Sequence, residues 1–538
     1  MYKRNPLLGA GCLFIIASLL VFTGGGANLE AASPQVEGTF IFAEPNEYPV
    51  IDPQKKGYGG SSFIVYVFQT PVSPSGLDSH LLGVIAKSWE TIDPLTWKFN
   101  LRKGIKFHNG DLLTAADVQF SAYRQMGKID PKFRSTNTGL WKRLIKNVET
   151  PDDYTVIIHT NQPDASFLSI MRWLFIVPKN YIEKIGDDAF GKKPVGTGPF
   201  KITKRKIGES LTMEAHLDYW NQSPEPGSKG PAKVKTVILR SIPQEQTRMA
   251  ALKTGEIHGT MIAPDSAAAV SENPDIRLFY THKNAPRFIM FNWRPPRKSK
   301  RARKAKAPIT EKPNPYMDIR VRRALNYALD VEAVIKNYLT GKEHKTTLVG
   351  RGGIGYNPNV PFYEYNPEKA RKLLLEAGYP NGFKTKFYVS SDPQPYVEAM
   401  LQQWRDIGIQ IQRVQVSGPV VKKKIIKKTL DGMVGWGAGF GGHDPAATWL
   451  QNCVSYKGTW AVHGKNEQVE TLVKKQAAEF DQVKRGRIID EIIQILWRDA
   501  WFVPLWESVH IQAIRAEWNY KQMPTQRIIY FSSLSKKR

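Results

Sequence analysis

Residues 99–121, FNLRKGIKFHNGDLLTAADVQFS, contain the order of predicted secondary-structure elements that indicates the fold class of this chain. Phe99 and Leu101 alternate with polar residues, which is typical of a β-strand with one buried face. Thr114 is followed three residues later by Asp117, the pattern of a capping box, and this predicts the start of a helix. A strand, a turn and a helix in this order are typical of α/β proteins.

The stretches on either side continue this alternation of strands and helices. Ile105 and Phe107 predict a second short strand, and Asn109 followed by Gly110 predicts the turn after it. Further along, the stretch TVILRSI, a helix that ends at Gly255 and the stretch IHGTMI predict a strand-helix-strand unit. The predicted fold class is therefore α/β.

From Asp318 onwards the sequence becomes richer in helices. Asp318 is the predicted cap of one helix, and Asn366 is the predicted cap of another. In the second helix Leu373 and Leu374 are expected to face inward, and Gly378 to end it. Two further helices lead into WFVPLWESVHIQAIR, which predicts a return to strand.

The segment PVGTGPF, residues 194–200, is interpreted as a structural elbow. Gly196 and Gly198 are expected to adopt backbone conformations that other residues avoid, and Pro199 to fix the direction of the chain that follows. We therefore assign this segment to the scaffold and not to a ligand site.

Size and charge limit the classes of protein that the chain can represent. Its 538 residues predict two or three domains or lobes, and 41% apolar residues are enough to fill their cores. Lys and Arg outnumber Asp and Glu by 76 to 49. The segment 294–308 has eight basic residues and no acid, and 422–428 has five. Aromatic residues are not interleaved with these runs, which argues against nucleic acid and leaves a solvated arm or a contact with anionic lipid.

The amino terminus, residues 1–32, is predicted to be a secretory signal peptide. Two basic residues precede a short apolar run and then a stretch of small residues, with cleavage expected near Ala27 or Ala32. An uncleaved anchor at the cell surface is the alternative. Cys12 resembles a lipidation site, but the apolar run continues past it, so lipidation is not predicted. Cleavage would leave Cys453 alone, without an intramolecular disulfide.

Five stretches, in this order along the chain, resemble the signatures of the dipeptide/oligopeptide-binding group, family 5, of the extracellular solute-binding proteins of ABC importers. They are FNLRKGIKFHNGDLLTAADVQFS, PVGTGPFKI with the later DYW, DIRVRRALNYALD, NPEKARKLLLEAGYPNG and WRDIGIQIQ. The resemblance runs from about Gly38 to Trp506. It implies a two-lobed periplasmic-binding-protein fold, the Venus-flytrap architecture, with an additional small α/β subdomain.

The resemblance also implies boundaries for these parts. They are the signal peptide 1–32, the first segment of lobe I at 33–82, the small α/β subdomain 83–193, the second segment of lobe I at 194–287, lobe II at 288–505 with a basic insertion at 294–315, and the last segment of lobe I at 506–538.

The implied function is that of the substrate-binding component of an ABC transporter, exported to the periplasm. It captures a small solute, such as a peptide, an oligosaccharide or an opine-like compound, between its lobes and delivers it to the permease subunits in the membrane. A monomer is expected, with no nucleic-acid partner. Two alternatives remain open at this stage: an exported enzyme that acts on a small solute in the same cleft, and a polyanion-binding or surface-binding protein that uses the basic insertion.

The loop GWGAGFGGHDPAATWL, residues 435–450, is the predicted ligand site. Its glycines match the dinucleotide-binding spelling G-x-G-x-x-G, but Pro445 breaks the helix that should follow and no acid occurs in 455–463. In the family that the chain resembles, this loop lies on the wall of the cleft. Peptide-binding members place an aspartate three residues before an acid-Pro pair to bind the α-ammonium group of the ligand. Here that position is Gly441.

Without this carboxylate, a standard peptide is not expected to be the preferred ligand, because a buried ammonium group needs a partner. Glycines leave room and free backbone N–H groups for a bulkier, sugar-like or anionic ligand. The predicted contacts come from this loop and, on the opposing lobe, from the turn before IDPQ: they are Trp436, Gly439, Gly441, Gly442, Asp444, Asn46 and Tyr48. The alternatives are a core position for Trp436, a loop-capping role for Asp444 and a turn that faces solvent for Asn46 and Tyr48.

Sequence patterns of catalysis are missing from the chain. There is no HExxH zinc signature and no G-x-S-x-G nucleophile elbow. Residues 186–193 have the glycine spacing of a phosphate loop, but Lys193 stands where Ser or Thr is required. We therefore predict no catalytic residue, no metal site and no cofactor.

Overall fold

The structure is a computed structural model, and the residues that it describes have several gaps. They are 36–45, 50–55, 63–75, 80–133, 135, 137–220, 231–294, 314–389, 394–437, 444–445, 449–523 and 529–537, without the side chains of 265, 283–285 and 436. All of them belong to one compact unit, Val36–Arg538. The predicted signal peptide lies outside the described residues.

The strands within the described residues are, in chain order, β1 (Glu37–Glu44), β2 (Val72–Pro74), β3 (Leu81–Gly83), β4 (Ala86–Asp93), β5 (Thr96–Leu101), β6 (Ile145–Asp152), β7 (Thr155–Thr160), β8 (Phe200–Lys206), β9 (Ser210–Ala215), β10 (Val234–Ser241), β11 (Gly259–Ile262), β12 (Ile276–Phe291), β13 (His344–Lys345), β14 (Lys384–Val389), β15 (Gln410–Gln415), β16 (Met433–Gly437), β17 (Val503–Arg515), β18 (Trp518–Asn519) and β19 (Ser535–Lys536).

The α-helices within the described residues are α1 (Ile64–Val67), α2 (Ala115–Met126), α3 (Thr138–Leu144), α4 (Phe167–Met171), α5 (Lys179–Ile185), α6 (Asp187–Phe190), α7 (Glu245–Thr254), α8 (Pro264–Ser271), α9 (Ile319–Tyr327), α10 (Val331–Tyr338), α11 (Pro367–Glu376), α12 (Pro395–Asp406), α13 (Gly418–Ile426), α14 (Glu467–Ala477) and α15 (Gln482–Arg498). None of them is long and apolar enough to cross a membrane.

The main sheet has the strand order β15-β14-β16-β12-β17-β11-β1-β10-β9-β8, with β13 added at β17. Its middle consists of β12 and β17, two long antiparallel strands that pair over most of their length. They connect a first half, formed by β11, β1, β10, β9 and β8, to a second half, formed by β16, β14 and β15. The fold is therefore a two-lobed α/β fold in which β12 and β17 run from one half to the other.

Both faces of each half of the sheet are covered by apolar cores. In the first half, neighbouring residues Phe42 and Ala43 of β1 belong to cores on opposite faces. In the second half, Phe288 and Ile289 of β12 do the same. Strands that are buried on both faces read as continuous apolar runs, which explains the sequence FIMF at the end of β12.

A separate sheet with the order β4-β5-β7-β6 forms the small α/β subdomain, together with α2 and α3. The predicted capping box at the start of α2 is confirmed, with Thr114 and Asp117 bonding to each other's backbone. The predicted second strand at Ile105 and Phe107 is wrong. Phe107 already accepts a hydrogen bond from the backbone N–H of Gly110, so the chain turns back too early for a ladder to extend.

The helix caps of the second half follow from the sequence. Asp318 accepts a hydrogen bond from the N–H of Arg320, and Asn366 accepts one from the N–H of Lys369. Leu374 is buried, whereas Leu373 is only half-buried. Gly378 has φ +86°, the left-handed conformation predicted for the residue that ends α11.

The glycines of the predicted elbow are explained by space and not by φ. Neither Gly196 nor Gly198 has a positive φ. A Cβ atom on Gly196 would lie 1.9 Å from the carbonyl oxygen of Val67, and one on Gly198 would lie 2.2 Å from that of Tyr66. The segment is a site of close backbone approach, so the reason predicted from the sequence is corrected.

The sheet halves contain strands from each predicted segment of the lobes, and the exact boundaries of those segments remain a prediction. The basic insertion lies mostly outside the described residues, which include only its two ends, Arg294 and 314–315.

Candidate functional site

The predicted ligand loop follows β16, at the point where the two halves of the sheet meet. β16 is antiparallel to β12, with Gly437 opposite Arg287, and parallel to β14. The loop therefore leaves the carboxyl end of a parallel strand, the usual place for ligands in α/β sheets. Residues 438–443 and 446–448 of the loop lie outside the described residues.

Arg287 provides a positive charge at the start of this loop. Its Nε donates a hydrogen bond to Ser508 Oγ at 2.9 Å, which joins β12 to β17. A Cβ atom added to Gly437 would lie 3.5 Å from Arg287 Cδ, so the arginine side chain borders the strand from which the loop departs. Arg287 is exposed, and within the described part of the chain no carboxylate forms an ion pair with it. The guanidinium group can therefore bind an anionic group of a ligand.

Glu507 is a buried acid close to the same position. It lies on β17 opposite Pro286, and only 3% of the residue is exposed. Burial raises the pKa of its carboxyl group to about 7, although the backbone N–H and the charge of Arg351 act in the opposite direction. Near neutral pH this side chain is therefore divided between a protonated and an ionised form.

Two histidines stand beside Glu507. β13 places His344 opposite Glu507, and the ring of His344 stacks on that of His282 with centroids 5.4 Å apart. Burial lowers the pKa of His344, and the nearby charge of Arg351 lowers it further. The region where β12, β13 and β17 meet therefore contains both acidic and basic groups.

Asp444, in the second half of the loop, is held in a buried ion pair. Arg485 Nη1 donates to Asp444 Oδ2 at 2.7 Å, and Nη2 donates to Oδ1 at 2.9 Å. Both side chains are 2% exposed, and Ser169 Oγ lies 3.4 Å from the same carboxylate. Both oxygens of this carboxylate accept hydrogen bonds from protein groups. The geometry therefore fits an anchor of the loop better than a direct ligand contact.

The surroundings of Asp444 connect the small subdomain to the second half of the sheet. The backbone N–H of Ala165 donates to the carbonyl of Ala477 at 2.8 Å, and Gln451 Nε2 donates to Asp164 Oδ2 at 3.3 Å. Gln451 belongs to a π-helical turn, Leu450–Val454, a deviation that often occurs near functional sites. The loop is therefore fixed at one end by β-pairing and at the other by this set of contacts.

The predicted site residues are only partly described. Trp436 is paired through its backbone with Phe288, and its side chain lies outside the described part of the structure. The others that lie outside the described residues are Gly439, Gly441, Gly442, Asn46 and Tyr48. Their role in ligand binding stays a prediction.

Sequence reasoning missed the charged residues that the fold brings to this site. Arg287 immediately precedes the apolar run FIMF, and Glu507 interrupts an apolar strand. A charged residue within such a run was the available signal. Arg485 carried no comparable signal, because its partner Asp444 is 41 residues away in the sequence.

Metal-binding clusters and a reactive thiol are missing from the described part of the chain. No set of three or more His, Cys, Asp or Glu side chains there is arranged to hold a metal ion. Cys453 is buried, and burial raises the pKa of its thiol to about 12, so the thiolate needed for nucleophilic attack is not formed near neutral pH.

Comparison with known proteins gives consistent matches over most of the chain. The family described as bacterial extracellular solute-binding proteins, family 5 Middle, matches residues 81–458. Heme-binding protein A of Haemophilus influenzae is 28% identical over 457 residues, which cover 79% of this chain and 78% of that protein. The glutathione-binding protein GsiB of Salmonella choleraesuis is 26% identical over 511 residues, which cover 91% and 93%.

The described fold also resembles a solved structure. The ABC transporter-associated periplasmic binding protein DppA from Helicobacter pylori, in complex with the peptide STSA, superposes with a TM-score of 0.78 and 25% sequence identity. The match covers 94% of this chain and 99% of that one. These related proteins are binding proteins and not enzymes.

Proposed function

Because this chain belongs to the bacterial extracellular solute-binding proteins of family 5 and is the solute-binding component of an ABC importer, we propose that its own ligand is a small solute with an anionic group. The solute binds between the two lobes, next to the loop that follows β16. Arg287 forms a charge-assisted hydrogen bond with the anionic group of this solute.

The observation that carries this proposal is the environment of Arg287. Its guanidinium is exposed, adjoins the start of the ligand loop and has no ion pair within the described residues. Because Nε is held by Ser508, the direction of the side chain is restricted before the ligand arrives. Less conformational entropy is lost on binding when a contact group is already oriented.

The identity of residue 441 supports a ligand that does not depend on a free α-ammonium group. Glycine occupies the position at which peptide-binding members of the family are expected to have an aspartate. A buried ammonium group without a carboxylate would lose several kcal/mol through desolvation. Asp444 cannot substitute for the missing aspartate without giving up Arg485, which would leave that guanidinium buried and unpaired.

The names of the relatives point to a similar chemistry. Heme and glutathione, the ligands in the names of two relatives, both have carboxylate groups and are larger than a simple amino acid, although glutathione, unlike heme, also has a free α-amino group. We infer that this chain binds a carboxylate-bearing compound of that size range. Of the peptides, oligosaccharides and opine-like compounds expected from the sequence, this proposal keeps only those that have an acidic group.

Glu507 supports a second candidate, a solute with an amino group. Its carboxyl group is the acid nearest to Arg287 in the pairing of β12 with β17. An ammonium group of the ligand would have to shift this group to its ionised form, against the effect of burial. We therefore regard the anionic solute as the better supported ligand.

A binding experiment with three variants distinguishes these candidates. Acidic and amino-bearing solutes are titrated into the protein while the fluorescence of its 14 tryptophans is recorded. We expect an acidic solute to bind, and Arg287→Gln to weaken its binding by about tenfold or more, since a hydrogen bond to a charged group is lost. The control Arg371→Gln removes an exposed arginine of α11 and is expected to leave binding unchanged.

The opposite pattern would support the amine. If Arg287→Gln binds as tightly as the unaltered protein while Glu507→Gln loses binding of an amino-bearing solute, the proposed anionic ligand is wrong.

Export through residues 1–32, cleavage near Ala27 or Ala32 and a monomeric state are part of the same proposal. Export is supported by the solved structure that is described as a periplasmic binding protein, and the cleavage position and the monomeric state rest on the sequence. The permease subunits that receive the solute are the expected partners.

A further inference from the structure

A large basic groove lies at one end of the second half of the main sheet. It encloses a cavity of about 1550 Å³ and is lined by Asn314, Tyr316 and the amino-terminal ends of β14 and β15, among other residues. The cationic residues in its lining are Arg294, Lys384, Lys386, Arg405, Lys427 and Lys428. Against these six cations the lining contains one carboxylate, that of Asp431.

The groove and the ligand loop are at opposite ends of the same strands. β14 and β15 are parallel, and so are β14 and β16. The groove contains the first residues of β14 and β15 together with Gly432, which precedes β16. The ligand loop follows the last residue of β16, Gly437. Occupation of the groove therefore does not require the solute site.

The positive charge of the groove is partly reduced by two acids, Asp431 in its lining and Glu398, which lies 3.7 Å from Arg405. Asp431 accepts hydrogen bonds from Lys386 Nζ at 2.7 Å and from the hydroxyl of Tyr388, and Lys424 Nζ lies 3.4 Å away. Lys384 and Lys427 are exposed and make no ion pair within the described part of the chain. Their ammonium groups remain available to an external anion.

Two basic runs that are far apart in the sequence each contribute described residues to the lining of the groove. The run 422–428 contributes Lys427 and Lys428 to the groove. The run that starts at Arg294 leaves the described structure at the groove, and the chain returns there at Asn314. Residues 295–313 add eight basic residues and one acid to this region of the sequence.

We propose that this groove is a docking surface for the anionic phospholipid headgroups of a membrane. The six cations line a groove of about 1550 Å³, which is far larger than a single small anion would fill and fits a surface with many phosphates better. Each lysine or arginine close to an anionic bilayer increases its attraction to the protein, and the effect is screened by salt. Such binding would keep the protein near the membrane in which the permease resides, whether or not solute is bound.

Vesicle binding tests this proposal. The protein is mixed with vesicles of phosphatidylcholine and phosphatidylglycerol, or of phosphatidylcholine alone, at low and at high salt, and the bound fraction is measured by sedimentation. Neutral vesicles report binding that does not depend on the charge of the lipid. We expect binding to anionic vesicles at low salt that is lost at high salt and that does not change when solute is added.

The double variant Lys384→Gln/Lys427→Gln locates the effect in the groove. We expect it to lower the affinity for anionic vesicles by about 30-fold, which is the combined effect of removing two lysines from the interface. The matched control Lys106→Gln/Lys253→Gln removes the same charge from two exposed residues of other regions and should change the affinity much less.

Three results would overturn the proposal. Equal losses in the two double variants would show that the total charge, and not the groove, attracts the vesicles. Equal binding to neutral and anionic vesicles would assign membrane contact to apolar residues. Binding of soluble polyglutamate without binding of anionic vesicles would identify an acidic polymer as the partner.

Discussion

At the scale of single residues, the ion pair of Asp444 and Arg485 is the feature with the largest consequence for stability. Both charges are buried, and two hydrogen bonds of 2.7 and 2.9 Å join them. Taking either charge away leaves the other without compensation in a region that water hardly reaches. The pair also holds the end of the ligand loop in place.

We therefore expect Asp444→Ala to lower the free energy of unfolding by about 3–5 kcal/mol, the range found for broken buried pairs. The measurement is urea unfolding followed by tryptophan fluorescence. Glu368→Ala is the control, since it breaks the exposed pair with Arg371 and should cost less than about 1 kcal/mol. Equal losses in the two variants would mean that the pair is not buried as described.

Glu507 gives the protein a specific dependence on pH. Its pKa is raised from the ordinary 4.5 to about 7, so the folded protein binds this proton more tightly than the unfolded chain does. The stability that this group provides is complete below pH 4.5 and decreases as the pH rises through 7. The total decrease amounts to about 3 kcal/mol.

Glu507→Gln should remove this dependence, because glutamine does not titrate. The test compares the free energy of unfolding of both proteins across this pH range, which cancels the contributions of other groups such as His344. We expect the unaltered protein to lose stability relative to Glu507→Gln as the pH rises. A constant difference between the two proteins would show that Glu507 ionises as easily in the folded state as in the unfolded chain.

Residue-scale rules predicted caps well and charge partners poorly. Thr114, Asp318 and Asn366 cap their helices as predicted, because a cap depends on residues within one turn of the chain. The pairing of Asp444 with Arg485 depends on how distant elements pack, so no local pattern contains it.

At the scale of elements, the segment PVGTGPF has the close packing expected of a scaffold segment, but the reason for its glycines differs from the predicted one. The sequence predicted a scaffold segment, and α1 indeed passes so closely that Gly196 and Gly198 leave no room for a side chain. The prediction attributed this to φ, because a close approach by a distant segment has no local signature. The missing strand at Ile105 and Phe107 has a local cause instead: the chain reverses directly after Phe107, and a single bridge between Lys106 and Leu112 forms in place of a ladder.

Gly196→Ala is expected to lower the free energy of unfolding by about 3 kcal/mol or more, because the new Cβ atom would meet the carbonyl oxygen of Val67 at 1.9 Å. The control is Gly139→Ala, at a helical position where a Cβ atom has no neighbour within 4 Å. That variant should be neutral or slightly more stable. Both are measured by thermal unfolding, and a stable Gly196→Ala protein would contradict the close approach.

At the scale of the whole molecule, the long strands β12 and β17 determine both the fold and the place of the site. They connect the two halves of the sheet, and Arg287 and Glu507 lie where their pairing is irregular. Closure of the lobes on a solute would bring ligand contacts from both halves together, and the gain in contacts stabilises the closed form. The alternation of strands and helices and the family resemblance were sufficient to predict this architecture.

The ligand itself was not predictable to the same degree. Gly441 indicates which partner is missing, but the groups that remain are brought together from β12, β17 and the segment after β16 by the tertiary fold. Arg287 and Ser508 are 221 residues apart in the chain, so their contact could only be found in the structure.

Native mass spectrometry of the protein purified without denaturation tests the central claim most directly, because it identifies the solute that the cell supplies. We predict a bound small molecule with a carboxylate or another acidic group that does not rely on a free α-amino group, and loss of this molecule in the Arg287→Gln protein. The account would be contradicted by a co-purified peptide that the Arg287→Gln protein also retains. The contradiction would be complete if the same peptide, once its amino terminus is acetylated, no longer binds.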